Sequence, residues 1–311
     1  MPHLTSTGGR LSATEESRLG FGVPGYAHPL LAPAEWAELT RPGTPLHWAV
    51  LNVADGPGAC PDPHCLEAVG RLANAGARVL GHLDLAYGTR PLGELVADAQ
   101  RHLDWYRVGG FYLDRCPAGR DGLDGVRRTA EVLTTLRPAN AARWPAAFPA
   151  AFPADAPDAG PGPAPEGAAD AAPEAARGAA PNPAGAVRQV NAVRRAGARR
   201  PYLVLGHGTH PYPGYAETAD QLVTFSGPWA DYRWSQAAEW TAAHPPERFV
   251  HLVHGIPRHH LEEAMRIARW QGAGTIFFTD REDRTGQNGS FETLPGFWDE
   301  IVSRLGPGVS E

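Results

Sequence analysis

The chain has 311 residues, with 28 basic against 34 acidic side chains, a net charge of −6 and a pI of about 6.1. This is room for one large domain or two small ones, it offers no basic field to recruit nucleic acid, and no apolar run reaches the roughly 20 residues of a membrane span. Every basic side chain is Arg, which excludes a Walker-type phosphate loop, a Schiff-base lysine and a pyridoxal enzyme.

Residues 1–20 are polar and read as a disordered tail without the apolar core of a signal peptide. The chain as written is therefore expected in the cytoplasm, or outside the cell if its true start lies elsewhere. Ordered structure is expected from Phe21. A strand over Leu46–Asn52 leads to a helix over Asp62–Ala75, closed by Gly76. Strand Arg78–Asp84 precedes helix Leu92–Tyr106, in which Leu95, Ala99 and Leu103 recur every four residues. Strand Gly110–Asp114 and helix Gly122–Leu136 follow, completing a first half over residues 21–137. Residues 138–186 are dominated by Ala, Pro and Gly. Such a segment buries too little apolar surface to offset its chain entropy, and it reads as a disordered insertion. A helix over Val187–Ala196 opens the second half, residues 187–306. Strands follow at Tyr202–His207, Gln221–Ser226, Arg248–His254 and Gly274–Asp280. Helices are predicted over Ser235–Ala243, Arg258–Gln271 and Pro295–Leu305, before a tail at 307–311.

Counting a short strand near Phe21, this makes eight strand–helix units, the pattern of a closed (β/α)8 TIM-type barrel. An open doubly wound sheet is the alternative, although the glycine-rich dinucleotide fingerprint is absent. In a barrel the insertion falls between the fourth helix and the fifth strand, on the face that serves stability.

The strands share a polar last residue: Asn52, Asp84, Asp114, His207, Ser226, His254 and Asp280. Asn, Asp and Ser also favour a strand-to-loop handover for turn reasons alone. As a set, however, they would ring the C-terminal rim, where barrel chemistry is carried out. The run Gly110-Phe111-Tyr112-Leu113-Asp114 is the sharpest case, because an unpaired carboxylate cannot remain in an apolar core. Tyr87, Arg90 and Trp229 lie in the loops after these ends. Aromatic faces beside carboxylates and amides suit a sugar. No HxH or HExxH cluster occurs, His251 and His254 should point to opposite faces, and neither a metal nor a cofactor is expected. His82 and Asp84 share a face, so Asp84 is expected to pair with His82. Cys60, Cys65 and Cys116 are too few for a disulfide framework, and Cys116 lacks a His spaced to activate it.

The segments Val23-Pro24-Gly25-Tyr26-Ala27-His28-Pro29, Leu51 to Gly58, Val79 to Asp84 with Tyr87-Gly88, Trp105-Tyr106, Gly110 to Asp114, Ala219 to Phe225 and Phe278-Thr279-Asp280, in that order, resemble the spherulation-specific family 4 (spherulin 4-like) proteins. The resemblance implies a barrel related to glycoside hydrolases that act on galactosamine-containing polysaccharide, with an Asp-Glu pair ending the fourth strand and a Glu ending the sixth. Asp114 matches the Asp. Arg115 and Ser226 stand where the two Glu are expected. Most glycosidases need two carboxyl groups, so Asp84 or Asp280 is expected to partner Asp114, unless an N-acetyl group of the substrate assists. Arg115 is expected to hold Asp114 ionised. Tyr26, Asn52, Tyr87, Arg90, His207 and Trp229 would position the sugar. The alternative is a carbohydrate-binding relative that kept the cleft and lost the acid.

Overall fold

The computed structural model describes residues 19–25, 27–139, 200–282 and 289–305. Eight parallel strands close into a barrel in chain order, with β8 paired back to β1. They are β1 (Gly20–Val23), β2 (Leu46–Leu51), β3 (Arg78–Asp84), β4 (Gly110–Asp114), β5 (Tyr202–Gly206), β6 (Gln221–Pro228), β7 (Phe249–His254) and β8 (Thr275–Phe278). The helices are α1 (Pro33–Glu38), α2 (Pro63–Asn74), α3 (Leu92–Arg101), α4 (Leu123–Thr135), α5 (Trp229–Tyr232), α6 (Leu261–Trp270) and α7 (Trp298–Leu305). The barrel is therefore the one expected from the strand–helix repeat, and the open-sheet alternative falls.

Local chemistry accounts for the element ends. Asp62 caps α2 by accepting the Cys65 N–H at 2.9 Å, and Gly76 beyond its end takes a left-handed φ of 85°. Helix α3 does not run evenly to Tyr106. Its continuation His102–Tyr106 widens to a π-helical turn and stops where Arg107 adopts φ 56°. The widened turn brings the buried His102 ring over Gly81, where a Cβ would collide with it, and His102 Nε2–H donates to the His82 carbonyl at 3.1 Å. Burial pulls the His102 pKa down to about 4, so the ring is a neutral prop behind β3.

Three expectations need correction. Order begins before Phe21, since Leu19 is buried and Gly20 opens β1. Ser235–Ala243 is not one helix. Ser235 Oγ–H donates to the Tyr232 carbonyl and Gln271, just past the end of α6, donates to the Ser235 carbonyl and hydroxyl, leaving only a 3-10 turn at Glu239–Ala243. No helix is predicted over Pro33–Glu38, yet α1 starts on Pro33 there and buries Trp36. The predicted helix Val187–Ala196, most of the tail 1–20, nearly all of the insertion 138–186, the tail 307–311 and Tyr26 lie outside the described residues.

Inside the barrel the lower layer is a satisfied polar network. Trp48 Nε1–H donates to Gln221 Oε1 at 2.6 Å, and Gln221 Nε2–H donates to Thr275 Oγ1 and the Glu247 carbonyl, both at 2.8 Å. Gly22 leaves the space that the Trp48 ring fills. This floor closes the barrel from below, so the upper layer has one way out, through the C-terminal mouth.

Candidate active site

At the mouth lies a cleft of about 460 Å³ lined by Pro24, Gly25, Asn52, Asp55, His82, Asp84, Tyr112, Asp114, Arg115, Ser226, Leu252, Phe291 and Glu292. Strand periodicity explains the lower part of this wall. His82 and Asp84 on β3, and Tyr112 and Asp114 on β4, are alternate residues on the inward face. Gly206 on β5 gives them room, because a Cβ there would press on the Tyr112 hydroxyl and the Asp114 carboxylate. On β6 a register shift between Val223 and Phe225 changes the alternation, and Ser226 is the residue that reaches the cleft.

Register also places Asp84 directly beside Asp114. Two neighbouring carboxylates repel, and Arg115 resolves the conflict. Its backbone takes φ 47°, and its guanidinium forks onto Asp84: Nε–H donates to Oδ1 at 2.8 Å and the second arm meets Oδ2. Arg115 therefore pairs with Asp84, not with Asp114 as expected from adjacency in sequence. Its hydrogen bonds, helped by the Ala86 N–H, hold Asp84 below the usual carboxylate range despite partial burial. Asp84 does not pair with His82 either. His82 Nε2 faces Asp114 Oδ2 at 3.4 Å, while its buried Nδ1 finds no hydrogen-bond partner among the described residues.

Of the other predicted residues, Asn52 lines the cleft and accepts the Gly56 N–H on Oδ1 at 2.9 Å, which leaves its amide nitrogen for a ligand. Tyr87 stands exposed on the rim with φ 56°, its ring 5.8 Å from the Arg115 guanidinium. Asp280 does not share the cleft. It borders a separate depression with Arg281, Glu282, Gly289 and Thr293, and its Oδ1 accepts the Gly296 N–H at 2.8 Å. Arg90 is tied to Asp98, Glu94 and the Asp84 carbonyl, bracing the loop after β3. His207 Nδ1–H donates to the Pro117 carbonyl at 3.0 Å, its ring rests on Tyr215, and burial lowers its pKa to about 4. Trp229 is buried against Tyr232 and His260. These three support the walls and do not line the cleft.

Cys116 is inert: its thiol donates to the Leu113 carbonyl, and burial drives its pKa far up. His251 and His254 do part company. His251 is buried behind β7 on the Tyr232 hydroxyl, with its pKa pushed down to about 3, whereas His254 is partly exposed. The His259 and His260 rings lie together, 4.2 Å apart.

Sequence reasoning missed Glu292. It follows the buried Phe291, which packs on Phe277 and His254, and its carbonyl accepts the Ala27 N–H at 3.0 Å. It sits on no strand end, so no periodic signal marks it. Asp55, in the loop after β2, also lines the cleft without having been assigned a role.

The model of spherulation-specific family 4 matches residues 21–147 and 169–305. The chain belongs to this family. Among solved structures, Aspergillus clavatus Sph3 in complex with GalNAc matches with a TM-score of 0.63 and 20% identity, over 93% of this chain and 97% of that one. At that identity the likeness speaks for the shared barrel. No curated protein matches the sequence. Within this spherulin 4-like barrel, Arg115 and Ser226 occupy the positions where the family resemblance calls for Glu, and both border the cleft.

Proposed function

We propose that this cleft hydrolyses a glycosidic bond in an amino-sugar-containing, galactosamine-type polysaccharide, with Asp114 and Glu292 as the acting pair. The observation that carries the reading is that the two carboxyl groups line one cleft from β4 and from the loop after β8. These strands are four apart in a closed ring of eight, so their loops face each other across the mouth. A bound sugar would lie between the two acids. The amino-sugar class is supported by membership of the family and by the GalNAc complex of Sph3.

Opposed loops suit the wide spacing of an inverting pair, about 6.5–9.5 Å, better than the roughly 5–5.5 Å of a retaining pair. Asp114, faced by His82, acts as the base on a water. Glu292 protonates the leaving oxygen. Ser226, small and exposed on β6, leaves space for that water where a Glu would fill it. Asp84, neutralised by Arg115, anchors charge and takes no part in proton transfer. Tyr87 offers a stacking face at the rim, and Asn52 and Asp55 read hydroxyls.

A second reading is a binding protein without turnover. It is favoured by one observation: the one arginine lining the cleft among the described residues, Arg115, is spent on neutralising Asp84, one of the expected acids. Reducing-end release from galactosamine-rich polysaccharide, followed with binding by the same material, separates the two. Release that disappears in Asp114→Asn while binding persists supports hydrolysis. Binding with no release from the wild type, unchanged in Asp114→Asn, establishes the binding module instead.

A further inference from the structure

Beside the cleft but outside it, three side chains of metal-ligating type converge: His28 from the loop after β1, and Asp62 and Cys65 from the first turn of α2. Their donor atoms all lie within 4.8 Å of one another. His28 Nε2 is 3.3 Å from Asp62 Oδ2 and 3.5 Å from Cys65 Sγ. We propose that His28, Asp62 and Cys65 form a binding site for a zinc-class divalent cation that clamps the loop after β1 to the N-terminus of α2. This inference does not rest on the sugar reading.

The spacing is the first argument. Zinc bonds of about 2.0–2.1 Å to nitrogen and oxygen and about 2.3 Å to sulfur, at tetrahedral angles, put nitrogen and oxygen about 3.3–3.4 Å apart and nitrogen and sulfur about 3.5–3.6 Å apart. Both observed separations match those edges. The 3.3 Å nitrogen–oxygen separation is also longer than the roughly 2.7–3.2 Å expected of a good hydrogen bond.

The donor set is the second argument. One thiol, one imidazole and one carboxylate with solvent in a fourth position is an N/S/O set that suits zinc over magnesium or calcium. Asp62 is already oriented from behind, because its Oδ1 accepts the Cys65 N–H at 2.9 Å and leaves Oδ2 toward His28. The stretch leading into it is held by Tyr106, whose hydroxyl donates to the Pro57 and Cys60 carbonyls and accepts the Asp62 N–H.

Binding has definite local consequences. The Cys65 thiol, pushed up to about 12 by burial and by Asp62, must give up its proton to the solvent as the metal–sulfur bond forms. The Leu30 N–H donates to His28 Nδ1 at 3.2 Å, so the ring proton sits on Nε2. Metal binding moves that proton to Nδ1 and breaks the exposed Leu30 contact, a small loss beside a thiolate–metal bond. The turn at His28–Leu31 then shifts against α2. The clamped loops carry Pro24, Gly25, Asn52 and Asp55, all of which line the cleft.

The test uses the full chain, stripped with a chelator and titrated with Zn²⁺ and, separately, with Co²⁺ as a spectroscopic probe. One equivalent of cobalt should give the visible bands of a tetrahedral site together with a near-ultraviolet thiolate-to-cobalt band, and zinc should raise the melting temperature. Cys65→Ser should abolish the near-ultraviolet band, and His28→Ala and Asp62→Asn should weaken binding about tenfold or more. Asn preserves the helix cap, so Asp62→Asn reads ligation and not folding. Cys60→Ser should change nothing. Absence of stoichiometric binding at micromolar metal would overturn the site. So would a cobalt–thiolate band that survives Cys65→Ser or vanishes in Cys60→Ser.

Discussion

The β3–β4 side of the mouth and the β8 side deliver their carboxylates by different means. On the first side Asp84 and Asp114 are carried on adjacent strand ends, in register, and Arg115 neutralises one of them. On the second side Asp280, expected to end the strand, lies two residues past the end of β8 and is turned away to cap the backbone at Gly296, and the acid in the cleft is Glu292, twelve positions further on in the following loop. A strand fixes side-chain direction by simple alternation, so an acid on a strand end announces itself. A loop fixes direction through particular packing, here Phe291 against Phe277 and the Glu292 carbonyl on Ala27, and no periodicity records it.

The contrast is most exposed to activity measurements. Asp114→Asn is expected to lower turnover about 10²–10⁴-fold with little change in sugar binding. Glu292→Gln should reach the lower part of that range, whereas Asp280→Asn should stay within about threefold of wild type. If Asp280 proves the essential acid and Glu292 the silent one, the assignment of the two sides is reversed. An NMR assay of the first-formed anomer sharpens the same comparison, since facing loops predict inversion.

Stability measurements come next in size. Trp229→Ala should destabilise the fold by about 3–5 kcal/mol, as expected for an emptied aromatic site, while sparing the KM of the folded fraction. A selective rise in KM would instead return Trp229 to the cleft. Arg115→Ala should cost less, about 1 kcal/mol at neutral pH, because this ion pair is half-exposed. The sign follows from Asp84. Its folded pKa lies below its unfolded value, so the stabilisation is present above about pH 4 and fades as pH falls through the folded pKa. Denaturant melts of wild type and Arg115→Ala should therefore differ at pH 7 and converge only once the pH has fallen below the lowered folded pKa of Asp84. The smallest effect is expected from deleting residues 145–180, which fall in the sequence between α4 and β5. Melting temperature and activity should both be retained.

The barrel was legible in the sequence because its signals are local and repeated. Apolar runs such as Tyr202–Gly206, helical spacing at Leu95 and Ala99, and the Asp62 and Gly76 stops each specify one element, and eight such units admit few closures. Asp114 and Asn52 were legible at the mouth for the same reason, since a polar residue ending a buried strand has one place to go. The pairing of Arg115 was not. Sequence adjacency pointed it at Asp114, but its left-handed backbone and the register of β3 against β4 deliver it to Asp84. Nor were the roles of Arg90, His207 and Trp229, which carry sugar-binding chemistry in their side chains yet spend it on Asp98, Pro117 and the packing around Tyr232. The sequence by itself determined the strand–helix repeat, the family and the carboxylate that ends the fourth strand, Asp114. Only the closed tertiary structure decided which carboxylates share a cleft, because that depends on register and loop packing between residues as distant as Asp114 and Glu292, and short-range pattern carries no information over such a separation.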